Sequence, residues 1–145
     1  MPILFSDFKR KLKTSIFNKW QGEWSSFNTR LNGLKPVILD WKSAYRENRR
    51  EEKVLSRLRT GSCRFLFQHY FDPMISREYC DFCRVPMTIS HLLINCVNLA
   101  FARRAITTYL RKYKLPLTEQ IILGDDFPHK LLFNFLKAVD FFDRI

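Results

Sequence analysis

Apolar residues recur at helical intervals over most of the chain. Phe8, Leu12, Ile16, Trp20, Trp24, Phe27 and Leu31 follow at steps of four and three, a stripe that predicts one long amphipathic helix with Ser6 as its N-cap and Asp7 in its first turn. A break is expected near Gly22 or Ser25-Ser26, and Asn32-Gly33 ends the pattern. At this spacing the stripe is expected to pack into a core, with base stacking on its two tryptophans the weaker alternative. Lys9, Arg10, Lys11 and Lys13 fall on the other side and read as a solvated face.

Pro36 interrupts the apolar run from Leu34 to Trp41, which predicts an extended connector burying Val37, Leu39 or Trp41. Ser43 is placed to cap a second helix reaching about Arg59 and closed by Gly61, with Val54, Leu55 and Leu58 facing inward. A short aromatic helix is expected from Ser62 to Phe71, with Phe65, Leu66 and Tyr70 inward, and a brief one from Ser90. A longer one carries Leu99, Ala102, Ile106, Leu110 and Tyr113 on one face, with Arg103, Arg104, Arg111 and Lys112 mostly elsewhere, and stops at Pro116. Leu117 to Leu123 suits one or two turns before Gly124. Pro128 opens a last helix whose apolar face is Leu131, Leu132, Phe135, Leu136, Val139 and Phe142. The expected fold is all-α, a single module with a helical part over residues 1–61 and a metal segment with C-terminal helices over residues 62–145.

The stretch from Cys80 to Cys96 changes this picture from helices alone to helices around a metal. Cys80, Cys83, His91 and Cys96 have a C-x2-C-x7-H-x4-C spacing. A C-x2-C turn aims two thiolates at one ion, and His91 and Cys96 complete a tetrahedron, so the pattern predicts a structural zinc site with no open position for water or substrate. A redox C-x-x-C would need a βαβ setting, and disulfides would need secretion. His91 and Cys96 are five residues apart and diverge on an ideal helix, so the helix carrying His91 is expected to end or distort near Asn95. Cys63 stands outside the pattern and reads as a small buried hydrophobe.

Charge adds a partner class. Lys and Arg number 25 against 14 acidic residues, a formal +11 over 145 residues, which favours a polyanion, nucleic acid before an anionic membrane surface. The candidate phosphate contacts are Arg46, Arg50, Lys53 and Arg57, at offsets of four, seven and eleven on the second helix, with Arg49 beside them. The alternative is that Glu47, Glu51 and Glu52 pair with these cations and only keep the helix soluble. The expected partner is RNA or DNA, an RNA-DNA hybrid included, and neither a small-molecule substrate nor a membrane. The run Ile3, Leu4, Phe5 is too short for a signal peptide and no apolar run spans a bilayer, so nucleus or cytoplasm is expected. No glycine-rich phosphate loop or Ser/His/Asp set is legible, His69 and His129 show no partner, and Asp125-Asp126 alone cannot build a two-metal nuclease. A non-catalytic protein is the expectation.

Several blocks together resemble a known family. They are WQGEW (Trp20 to Trp24), Lys35-Pro36 with Trp41, NRREEKVLSRLRTG (Asn48 to Gly61), the Cys80 to Cys96 motif, and the late IILGDD and LLFNFLK. Together they resemble the region following the ribonuclease H domain of non-LTR retrotransposon polyproteins. The resemblance implies Cys80, Cys83, His91 and Cys96 as ligands, and a detached tail without the upstream catalytic acids. In the full element such a tail would hold RNA or an RNA-DNA hybrid near the polymerase. Cys63 and Val97 depart from the family's usual threonine and proline, as in a copy that has drifted or been adopted by a host. A structural or protein-docking scaffold, or a decayed fragment, is the alternative reading.

Overall fold

The computed structural model describes residues 5–145, without the side chain of Tyr70; the expectations for Tyr70, Ile3 and Leu4 lie outside the described residues. The fold is all-helical, and among the described residues the only β-type pairing is an isolated bridge between Tyr79 and Pro86. No described helix is long and apolar enough to cross a membrane. The chain forms two compact units that divide between Asp40 and Trp41, and not near Gly61.

The first unit is α1 (Phe5–Ser26), α2 (Arg30–Leu34) and the segment up to Asp40. Ser6 is already helical and does not cap α1. The helix stops where Ser25 and Ser26 turn their hydroxyls back onto the carbonyls of Gln21 and Glu23, and Thr29 starts α2 by accepting from the Asn32 amide. Hydrogen bonds hold the unit together. Gln21 donates to the Pro36 carbonyl and accepts from the Ile38 amide, and the Trp24 indole donates to the Lys35 carbonyl at 2.9 Å.

The expected burial of the α1 stripe is not found. No residue of α1 is buried, and Phe8, Leu12, Ile16 and Trp20 are 43–62% exposed. The cause lies in the spacing. Each step of four advances about 40° around a helix, so the stripe winds through about 160° from Phe8 to Trp24, wider than the five-residue α2 and the connector of the same unit can cover. Val37 and Leu39 are also exposed, and of the three connector residues only Trp41 gains cover, beneath a guanidinium.

The second unit holds every buried residue among those described, from Val54 onward. It contains α3 (Arg49–Thr60), α4 (Arg64–Phe71), a π-helical turn (His91–Asn95), α5 (Arg104–Lys112), α6 (Glu119–Ile122) and α7 (His129–Ala138). Asn48, not Ser43, caps α3, accepting from the amides of Arg50 and Glu51, and Gly61 closes it at φ 80°. Ser43 is occupied elsewhere, its hydroxyl donating to Asp125 at 2.6 Å and accepting from Arg59 at 2.7 Å. The long helix expected from Leu99 begins only at Arg104; residues 98–103 form turns.

Val54, Leu55 and Leu58 of α3 join Leu92, Leu93, Ile106, Leu110, Leu132, Phe133 and Leu136 in the core. Edge-to-face pairs Phe65–Phe141 and Phe133–Phe142, with centroids at 5.4 and 5.9 Å, seal its C-terminal side. This burial explains why α3, grouped by sequence with the N-terminal part, belongs to the second unit.

Candidate metal centre

A tight turn presents the first two cysteines. The Cys80 amide donates to the Val85 carbonyl and the Arg84 amide to the Cys80 carbonyl, while Arg84 takes φ 56° to let the chain reverse. The bridge between Tyr79 and Pro86 closes the base of this turn. The Cys83 amide, above all, stabilises the Cys80 thiolate and outweighs burial, with help from His91 and the Phe82 amide, so that Cys80 is lowered to about 6. Burial pushes Cys96 the other way.

His91 and Cys96 arrive from the other side. The segment between them is a π-helical turn, in which the Cys96 amide donates to the His91 carbonyl at 2.8 Å. The helix thus distorts from His91 and ends at Asn95. Cys96 Sγ lies 3.8 Å from Cys80 Sγ and 3.9 Å from Cys83 Sγ, and the ligand atoms of all four residues lie within 4.8 Å of one another. Cys80, His91 and Cys96 are buried and Cys83 is half-buried. The four cysteines form no disulfide. His91 Nε2 is buried without a hydrogen-bond partner, a cost that a bound cation would remove. The cluster can hold a metal ion.

Comparison with protein-family models, curated proteins and solved structures found no match. The site's chemistry therefore rests on its own geometry.

Two buried arginines that the sequence analysis did not assign support the site and the core. Arg103 donates to the carbonyls of Ile94, Leu92 and Cys96 at 2.8, 3.1 and 3.2 Å, taking up oxygens at the end of the π-helical turn. Its position four residues after Leu99 and three before Ile106 was the available signal. Arg59 donates to the Leu123 carbonyl at 2.8 Å, lies 3.6 Å from Asp125, and stacks on the Trp41 ring at 3.8 Å. Burial lowers its pKa to about 10 despite Asp125, which leaves it charged at neutral pH. It lies four residues after Leu55, on the core side of α3.

The expected phosphate strip is divided. Arg46 precedes α3, pairs with Glu51 at 3.0 Å and lies over the Phe133 ring. Arg50 donates to the carbonyls of Phe142 and Asp143, and Arg57 to that of Ile145. Arg49 is exposed and pairs with Glu52 at 3.2 Å, and Lys53 is exposed. Asp125 is held by Ser43 and Arg59, while its neighbour Asp126 is exposed.

Proposed function

We propose that the chain is a zinc-stabilised, non-catalytic module that binds nucleic acid through sequence-independent contacts. It would be a tail of the kind that follows the ribonuclease H domain in non-LTR retrotransposon polyproteins. The observation that carries the metal half of this reading is the spacing of the sulfurs. A tetrahedron of 2.3 Å zinc–sulfur bonds has edges of about 3.8 Å, and the cysteine sulfurs stand 3.8 and 3.9 Å apart. Three thiolates and one imidazole are a structural zinc set. With all four positions filled by protein, the ion's contribution is to folding.

The nucleic-acid half is supported by the +11 charge and by exposed cations, Arg49 and Lys53 among them. A salt titration of binding tests it. Phosphate contact predicts an affinity that falls linearly with salt on logarithmic axes, and a flat line would count against it.

A second reading, a protein-docking scaffold, is favoured by the exposed stripe on α1. It predicts a partner that protects Trp20 and no affinity for polyanions.

A further inference from the structure

Arg46, Arg50 and Arg57 are engaged within their own chain, whereas exposed rings and exposed cations flank the metal ligands along the sequence. Phe82 sits between the two cysteines of the C-x2-C turn and is 63% exposed; Tyr79 directly precedes Cys80 and is 54% exposed. Phe101, 83% exposed, lies on the turn after Cys96, which Arg103 ties to the Cys96 carbonyl. Tyr79 and Phe82 thus directly adjoin cysteines whose sulfurs converge with that of Cys96, Phe101 follows Cys96 by five residues, and all three rings stand in water. Such rings ordinarily gain by burial.

Arg77, Arg84 and Arg104 surround them in sequence, all exposed and without an ion pair among the described residues. Between Asp81 and Glu119 the chain has no acidic residue at all. Rings interleaved with cations, with Asp81 the one exposed acid between Arg77 and Arg104, complement a polyanion that also offers flat faces.

We infer that the metal turn is a stacking platform for single-stranded nucleic acid. Bases lie on Tyr79, Phe82 and Phe101, and phosphates on Arg77, Arg84 and Arg104. The inference rests on the nucleic-acid reading above and sharpens it, because a duplex hides the base faces that the rings would take.

Fluorescence anisotropy on the zinc-loaded full chain tests this, with a labelled oligothymidylate, a duplex of equal length and an abasic oligomer as probes. The single strand should bind at least about fivefold more tightly than the other two, and Phe82→Ala or Phe101→Ala should weaken it about five- to a hundredfold. Zinc content, melting temperature and duplex affinity should not change, since both rings lie outside the core. Equal affinity for the abasic oligomer, or undiminished single-strand binding by both variants, would overturn the platform and leave a phosphate grip. Failure to bind any probe at low salt would overturn the nucleic-acid reading with it and leave the surface to a protein partner.

Discussion

The Cys96 amide donates to the carbonyl of His91, five residues back, at 2.8 Å. On an ideal α-helix two residues five apart point about 140° from one another. The wider turn absorbs the extra residue, and the imidazole and thiol converge with Cys80 and Cys83. Local distortion of this kind is common at functional positions in helices.

If the four residues hold zinc, removing one ligand should cost more than a packing defect. Structural zinc contributes on the order of 10 kcal/mol to folding in small modules, comparable with the whole stability of a domain. His91→Ala and Cys83→Ser should therefore lose the ion and the amide protection of Leu92 and Leu93. Hydrogen exchange reads this directly; native protection in both variants would refute the structural role.

Arg103 supplies the π-helical turn with its three carbonyl contacts. Arg103→Met preserves bulk but leaves those oxygens without their donor. A loss of about 1.5–3 kcal/mol is expected in urea unfolding, from hydrogen bonds to a charged group, together with faster zinc transfer to a competing chelator. A surface change at Arg104, one residue on, should do neither.

Asp125 and Asp126 are adjacent but not equivalent. Asp125→Ala removes the partner of Ser43 and Arg59 and should lower stability by about 1.5–3 kcal/mol. Asp126→Ala, at an exposed position, should stay within about 0.5 kcal/mol of the native protein. Thermal melts of the pair distinguish a structural acid from a solvated one.

His129 gives a signed pH dependence. Burial, then the charges of Arg59 and Arg46, lower its pKa from 6.5 to about 4. The unfolded chain therefore binds the proton first, and the stability contributed by neutral His129 is present above pH 6.5 and lost as pH falls towards 4. The full effect is on the order of 3 kcal/mol. His129→Asn should flatten this part of the stability curve, and the difference between the two proteins separates it from acid release of the metal.

The ligand set, most helix locations and the need for a break after His91 were legible because they follow from spacing. The stripe from Phe8 misled because its steps of four match a helix locally yet wind around it over several turns. Ser43 and Asn48 are both good caps in isolation, and the choice turned on Asp125, 82 residues away. The arginines show the same limit. Arg59 follows Leu55 by four residues, a spacing that puts it on the core side of α3, but only packing reveals which carbonyls and which ring receive a buried guanidinium.

The most direct test of the central claim is the metal content of the purified native protein by elemental analysis, read beside its melting temperature with and without a chelator. One zinc per chain, with melting lowered by the chelator, is the predicted result. Protein free of metal that melts identically in both conditions would contradict the account.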